Sequence, residues 1–407
     1  MATTDTAGSS FIDAGTGTFW RANIALFSAA FATFAMLYCV QPLLPVLAER
    51  FRVTPTASSL ALSIPTAALG IGIILASSVS EVSGRKHIMC WSLVIAAVLT
   101  LASAIATTWP LFLIARGLAG LALSGLPAVA MAYVSEEFNP RAGGLAMGLY
   151  IGGTGIGGMT GRLLAAFLSD VGSWRWALGA IGGISLILSV LFWLLLPASR
   201  QFRPHEPSLR ELKATGVGHL KDSGLLRLYV MGFLLMGSQV SLFNYVTFRL
   251  MARPYSLSQT VVGVIFLVYV FGTASSAWAG NLAGRGSRNV LWITTAIMLG
   301  GVGISLARPL WMVIASLAVI CFGFFGAHTV ASAWIGRRAK EGKALASSLY
   351  LFFYYAGASI LGTTTGKAWT GAGWAGVAAA IGVVLAIGVV VSVRLRRLPG
   401  LQLSSAG

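Results

Sequence analysis

Long apolar runs alternate with short polar segments along almost the entire chain. A helix that crosses the hydrocarbon core of a bilayer needs about 20 apolar residues, because the core is ~30 Å thick and a helix rises about 1.5 Å per residue. Runs of this length predict twelve membrane-spanning helices, at residues 22–47, 57–80, 88–107, 110–134, 143–169, 175–196, 227–250, 259–282, 290–306, 309–335, 345–368 and 374–393. The one long polar stretch lies between the sixth and seventh runs and separates two sets of six.

This separation predicts five segments in chain order. They are an N-terminal tail (1–20), a six-helix bundle (21–196), a central loop (197–226), a second six-helix bundle (227–393) and a C-terminal tail (394–407). The first segment lacks the basic start and apolar run of a signal peptide. We therefore expect it to be a flexible cytoplasmic tail.

The composition agrees with a membrane protein that crosses the bilayer many times. The chain is 57% hydrophobic and only 10% charged, whereas about a quarter of the residues of a soluble domain are charged. A net charge of +17 would suggest nucleic acid binding in a soluble protein, but here the basic residues lie in short segments between apolar runs. Cys39, Cys90 and Cys321 lie inside apolar runs, so neither a disulfide framework nor a metal site is predicted.

Basic residues are distributed unevenly between the two sides of the predicted membrane domain. Of the 28 Lys and Arg residues, nineteen lie on the side of the N-terminus and seven on the opposite side, while Arg116 and Arg162 fall within spans. Cytoplasmic segments of membrane proteins carry such an excess of Lys and Arg. Both termini and the central loop are therefore expected to be cytoplasmic.

The two sets of six spans share residues at a nearly constant offset, which indicates an internal duplication. Leu145, Ala146, Tyr150, Gly157 and Trp174 recur 200 positions later as Leu345, Ala346, Tyr350, Gly357 and Trp374. The turn after the second span, SSVSEVSGRK from Ser77, is likewise echoed by GNLAGRGSRN from Gly280.

These features resemble the major facilitator superfamily of secondary transporters, whose turn after the second span usually reads G-x-x-x-D-R-x-G-R-R/K. The first copy here supplies Glu81, Gly84, Arg85 and Lys86, and the second supplies Arg285 and Arg288. ARGLAG from Ala115 and EEFNPRAGGLAMG from Glu136 are similar to further family motifs in and after the fourth span. The resemblance implies an all-α membrane protein of twelve helices in two pseudo-symmetric bundles.

The turn residues are candidates for a conformational latch between the bundles. Gly84 permits a tight reversal between helices, and Glu81 can accept hydrogen bonds from basic groups. We therefore assign the latch to Glu81, Gly84, Arg85, Lys86, Arg285 and Arg288. The alternative is a solvated basic turn that serves only membrane orientation.

Glycines in the fifth span predict close helix packing. Gly153, Gly155 and Gly158 satisfy a dinucleotide-binding pattern, but they lie inside an apolar run without the strand and turn that such a site needs. Gly153, Gly157 and Gly161 instead form a ridge with four-residue spacing, which lets a neighbouring helix approach for packing or gating. GTTTGKAW from Gly362 lacks the spacing of a phosphate-binding loop, so ATP is not an expected partner.

Ionisable groups inside the spans are few, and none is acidic. All eleven acidic residues lie in loops, tails or span ends, while Arg116, Arg162 and His328 lie within spans. Such residues are costly in a membrane and commonly functional. Two cations at similar depth favour an anion between them, although either arginine could instead snorkel or bond backbone carbonyls. His328 is a candidate proton carrier or a packing residue.

The resemblance also places further polar and aromatic residues on the family's cavity helices. The predicted solute-binding set is Arg116, Arg162, Tyr38, Gln41, Gln239, Asn244, Tyr245 and His328. No catalytic constellation is found, so an enzyme is not expected.

We expect a monomeric transporter of the bacterial inner membrane that exports or exchanges a small anionic or neutral organic solute by alternating access. No cofactor or nucleic acid is expected, and coupling to a proton gradient is left open. The main alternative is drug/proton antiport of lipophilic compounds, which normally needs a buried acid. A sugar efflux permease or a channel fits less well.

Overall fold

The computed structural model describes residues 11–202, 209–284 and 289–397. Their regular structure is helical, apart from one isolated β-bridge between Ile12 and Phe138. The helices are α1 Gly17–Tyr38, α2 Leu44–Phe51, α3 Pro55–Ser58, α4 Leu60–Ser83, α5 Arg85–Ile105, α6 Trp109–Leu123, α7 Pro127–Glu137, α8 Pro140–Val171, α9 Trp174–Leu195, α10 Leu209–Lys221, α11 Ser223–Met251, α12 Gln259–Ile265, a 3-10 turn Phe266–Val268, α13 Tyr269–Gly284, α14 Val290–Ile304, α15 Leu310–Arg338 and α16 Lys343–Arg396.

Many of these helices are long and apolar enough to cross a bilayer. Within the described ranges nine segments meet that standard by length and composition, and Val290–Ile304 is a shorter apolar helix. The 54-residue α16 has non-helical backbone angles at Ala372 and Gly373, so it is two helices joined at a kink. The predicted all-α membrane class is confirmed, and the exact count of twelve spans stays a prediction.

The first span is interrupted rather than continuous. Helix α1 ends at Tyr38 and α2 begins at Leu44, with Pro42 in the connection and Pro45 in the first turn of α2. Proline lacks the N–H that would bond the preceding turn, so it ends or kinks a helix. The carbonyl groups at the end of α1 are therefore available to side chains.

The chain forms two halves, which we call the N-terminal half (α1–α9) and the C-terminal half (α11–α16). We call the side on which α1 begins the near side, and the opposite side the far side. In the N-terminal half α8 packs along α1, and in the C-terminal half α16 packs along α11. The same pairing in each half agrees with the internal duplication.

Glycines make both of these helix pairs close. A Cβ on Gly153, Gly157 or Gly161 of α8 would collide with the α1 backbone at Phe27, Phe31 or Ala35. In the second half a Cβ on Gly357 would collide with the backbone of Phe233. Gly157 and Gly357, which occupy equivalent places in the sequence repeat, therefore occupy equivalent places in the fold.

Hydrogen bonds hold the two halves together toward the far side. They include Gln41 Nε2 to Asn244 Oδ1 (2.9 Å), Gln259 Nε2 to Pro42 O (3.1 Å), Thr260 Oγ1 to Asp170 Oδ2 (2.6 Å) and Thr363 Oγ1 to Ser63 Oγ (2.8 Å). On the near side, the two ion pairs found among the described residues each join helices of the same half. The structure is thus a conformation with the far side closed.

Candidate solute-binding site

Arg162 lies on α8 between the two halves of the molecule. Its side chain is buried, and its Nε donates to Gln41 Oε1 (2.7 Å) while Nη1 donates to the carbonyl of Gly158 one turn earlier (2.8 Å). Nη2 makes no hydrogen bond within the described part of the chain. The guanidinium therefore keeps one donor nitrogen for a ligand.

Three aromatic rings surround the same guanidinium. Its central carbon lies 4.3 Å from the ring centroid of Tyr38, 4.8 Å from that of Tyr269 and 5.5 Å from that of Phe266. Cation–π attraction of this kind is strongest where water is excluded. Tyr38 comes from the N-terminal half and the other two rings from the C-terminal half, so the cage spans the interface.

Gln41 and Asn244 extend this site across the interface. The Gln41 amide accepts from Arg162 and donates to Asn244, so the three side chains form a continuous chain of hydrogen bonds. Both amides are buried, and Asn244 Nδ2 has no hydrogen-bond partner among the residues that the structure describes. A buried donor without a partner is unfavourable, so this atom can donate to a bound solute.

Arg116, which the sequence predicted as a solute ligand together with Arg162, has different surroundings. Its side chain is fully buried, and its guanidinium donates to the carbonyls of Met36 (3.0 Å), Leu37 (2.9 Å) and Ala61 (3.4 Å). The first two are carbonyls from the end of α1, where the helix dipole is negative. All three partners lie in the N-terminal half, so Arg116 caps the end of α1 in this structure, and its role as a solute ligand stays a prediction.

His328 lies in an aromatic cluster that is closer to the near side than Arg162 is. Its Nδ1 is 2.7 Å from the hydroxyl of Tyr350, and its ring lies against those of Tyr354 (4.8 Å between centroids) and Phe324 (5.9 Å). His328 and Tyr354 are half-buried. The role of His328 as a proton carrier stays a prediction.

The remaining predicted ligands divide between packing and the interface. Gln239 is buried, and its Nε2 lies 3.6 Å from the sulfur of Cys321. Tyr245 donates to the carbonyl of Gly362 (3.2 Å) and stacks on Trp369 within the C-terminal half. Gln239 also interacts with the side chain of Tyr269, one of the three rings around Arg162.

The latch residues that the structure describes have partners in their own half. Gly84 has a φ of 87°, which favours glycine, and it joins α4 to α5. Arg85 forms a two-point ion pair with Glu136 (2.7 and 3.2 Å), and Lys86 donates to the carbonyl of Leu196 (2.5 Å). The side chain of Glu81, and Arg285 and Arg288, lie outside the described residues. The latch therefore stays a prediction.

Phe266 and Tyr269, the two rings that the C-terminal half contributes to the cage, were not predicted from the sequence. They are three residues apart at the 3-10 turn that interrupts the eighth span. Residues at this spacing lie on one face of a 3-10 helix, and their rings stack at 6.3 Å. Two aromatic residues at this spacing in a cavity helix are the signal that could have identified them.

The structure is that of a helical membrane protein whose two halves meet at a buried cation, and comparisons with known proteins give its family. A family model described as Major Facilitator Superfamily matches residues 26–250. The chain is 48% identical over 388 residues to the inner membrane transport protein YnfM of Escherichia coli (strain K12), which covers 95% of this chain and 93% of the relative. It is 45% identical over 388 residues to the uncharacterized MFS-type transporter YybF of Bacillus subtilis (strain 168). That match covers 95% of this chain and 96% of the relative.

The chain belongs to the major facilitator superfamily. It is a multi-pass membrane transporter and not an enzyme, as the sequence predicted. Its fold is similar to that of a bacterial homolog of the human lysosomal transporter Spinster in an inward-facing, unoccupied conformation, with a TM-score of 0.72, 15% identity and coverage of 93% and 96%. A partial match, 28% identical over 214 residues and 52% of each chain, is the 3-(3-hydroxy-phenyl)propionate transporter of E. coli.

Proposed function

We propose that this protein exports or exchanges a small organic anion across the bacterial inner membrane by alternating access, with its near side toward the cytoplasm. The observation that carries the proposal is Arg162, a permanent cation placed between the two halves. Neither ion pair found among the described residues involves it. The nineteen-to-seven distribution of basic residues supports the orientation.

An anionic solute fits the electrostatics of this site. A charge at the middle of a bilayer costs about 2.5–3.5 kcal/mol on insertion scales, and an opposite charge on the solute would offset part of that cost. A carboxylate on Arg162 Nη2 would form a charge-assisted hydrogen bond, which is stronger than one between neutral groups. A lipophilic cation would instead be repelled by the guanidinium.

Aromatic character in the solute fits the surrounding side chains. The rings of Tyr38, Phe266 and Tyr269 touch the guanidinium, and Tyr269 continues to Phe325 at 5.7 Å. Aromatic pairs favour such centroid distances. The E. coli relative that covers half of this chain is named for an aromatic carboxylate. We therefore take 3-phenylpropionate as the first probe.

Counterflow into proteoliposomes tests this proposal. Vesicles loaded with unlabelled 3-phenylpropionate should transiently accumulate labelled 3-phenylpropionate from outside, because a carrier exchanges the two. The neutral 3-phenylpropanamide and the cationic 3-phenylpropan-1-amine serve as competitors of matched size, and the anion should compete best. Inhibition mainly by the amine would favour drug/proton antiport instead, and non-saturable flux would indicate a channel.

A further inference from the structure

Arg162 has a second property that follows from where its partners lie. The rings of Phe266 and Tyr269 belong to the C-terminal half, whereas Arg162 and Tyr38 belong to the N-terminal half. The guanidinium therefore holds the halves together directly, in addition to any role in binding solute.

The hydrogen bonds of Arg162 strengthen this connection. Gln41 accepts from Arg162 and donates to Asn244 in the opposite half, so the guanidinium fixes the Gln41 amide in the orientation that crosses the interface. Next to these hydrogen bonds, Gln259 Nε2 of the C-terminal half donates to the carbonyl of Pro42 in the N-terminal half. The cation thus lies among the contacts that keep the far side closed.

A bound anion would compete with these contacts. The attraction between a guanidinium and an aromatic face depends on the positive charge of the guanidinium, and a carboxylate on Nη2 neutralises that charge locally. A carboxylate also orients the planar guanidinium for its own hydrogen bonds. Both effects weaken the hold of Arg162 on Phe266 and Tyr269 without breaking any covalent bond.

We propose that Arg162 is a clasp that keeps the far side closed until a solute anion binds it. This inference rests on the proposed function, because it needs an anion at Arg162. A solute that enters from the near side would release the clasp and allow the far side to open. An empty transporter would keep the far side shut, so opening is coupled to loading.

Two ring substitutions, matched in chemistry, separate the clasp from simple packing. Tyr269→Leu removes a ring of the C-terminal half that contacts Arg162, and Tyr229→Leu removes a buried ring that stacks on Phe353 of its own half. Spin labels at Val171 and Val261, exposed near the far-side ends of α8 and α12, report the separation of the halves. The three native cysteines are buried and can be left in place.

Without solute, Tyr269→Leu should raise the population with a long spin–spin distance by roughly 2- to 30-fold, the range expected for loss of one cation–π contact. Tyr229→Leu should leave that population close to the wild-type value, because its ring stacks within one half. If both variants open the far side equally, or neither does, the clasp is wrong, whatever the solute is.

Addition of 3-phenylpropionate tests the release step. It should lengthen the distance in the wild type, and 3-phenylpropanamide should not. Arg162→Gln should show an opened far side that no longer responds to the anion. If titration calorimetry shows that 3-phenylpropionate binds but the distances do not change, the clasp fails and the proposed function stands. If 3-phenylpropionate does not bind, the proposed solute class fails, and the ring variants still decide whether Arg162 holds the halves together.

Discussion

Arg116 and Arg162 differ in what surrounds their guanidinium groups. Arg116 donates only to backbone carbonyls, and all of its partners belong to the N-terminal half. Arg162 contacts rings from both halves and keeps Nη2 free of hydrogen bonds to the described residues. We infer that the first arginine stabilises the end of α1 and that the second recognises the solute.

We predict that Arg116→Lys lowers the free energy of unfolding by about 1.5–3 kcal/mol, because one ammonium cannot reach the carbonyls that the planar guanidinium joins. Thermal unfolding of the purified protein in detergent measures this change. Arg50→Lys, at an exposed position near the far side, is the matched control and should change stability by less than about 0.5 kcal/mol. A variant with wild-type stability but weakened solute binding would return Arg116 to the solute site.

The sequence located both arginines inside apolar runs but could not separate their roles. Pro42 and Pro45 indicated an interruption of the first span, and that interruption frees the carbonyls of Met36 and Leu37. Only the tertiary packing of α6 against α4 and α5 brings Arg116 within reach of those carbonyls. That contact joins residues about 80 positions apart, so no local pattern predicts it.

The glycine ridge of α8 was predicted from the sequence to allow close helix packing, and in the structure it packs on α1. A methyl group on Gly157 would collide with the carbonyl oxygen of Phe31. Gly157→Ala should therefore separate the helices and destabilise the protein by about 1–3 kcal/mol.

Gly148→Ala in the same helix is the matched control, because no atom lies within 4 Å of the added carbon. This control should be neutral or slightly stabilising, since alanine favours the helix over glycine. Equal thermal unfolding midpoints for the two variants would show that the glycine ridge is not needed for packing.

Helix α11 begins at a charged cap on the near side, which gives a pH dependence. Asp222 accepts from the backbone N–H groups of Gly224 and Leu225, and it pairs with Arg338 of α15. Partial burial raises the pKa of this carboxyl, but the bonds from Arg338 and from those N–H groups outweigh burial and leave the pKa below its ordinary value. The carboxylate therefore stabilises the fold above about pH 4, and that stability is lost as the pH falls through the folded-state pKa.

Asp222→Asn should accordingly have a lower unfolding midpoint than the wild type near neutral pH, and the two midpoints should converge below about pH 3. Glu341→Gln, at an exposed position before α16, is the control and should follow the wild type throughout. A constant difference between Asp222→Asn and the wild type across this range would mean that the charge of Asp222 is not the stabilising feature.

Interruptions within spans were only partly predictable. The break between α6 and α7 precedes Pro127, whose missing N–H explains it. The 3-10 turn at Phe266–Val268 contains no proline, and we find no local signal for it. A continuous helix was expected over 259–282, and the aromatic pair Phe266 and Tyr269 was not singled out within it.

At the scale of the whole molecule, hydropathy predicted the helical class, and the resemblance of the repeated halves and their turn motif to a known superfamily indicated the family. The interface between the halves was not predictable in the same way. Gln41 and Asn244 are 203 positions apart and do not occupy equivalent places in the repeat. Their contact depends on how the two bundles dock. No local pattern in the sequence predicts which residues will meet there.

The central claim is that a small organic anion binds at Arg162. The most direct measurement compares the affinities of 3-phenylpropionate and 3-phenylpropanamide for the wild type and for Arg162→Gln by titration calorimetry. Arg175→Gln, which alters an arginine bonded to the carbonyls of Ala104 and Ala106, is the control and should keep the wild-type preference. We predict that Arg162→Gln reduces the preference for the anion over the amide by roughly 10- to 150-fold. A folded Arg162→Gln protein that retains the wild-type preference would contradict the account.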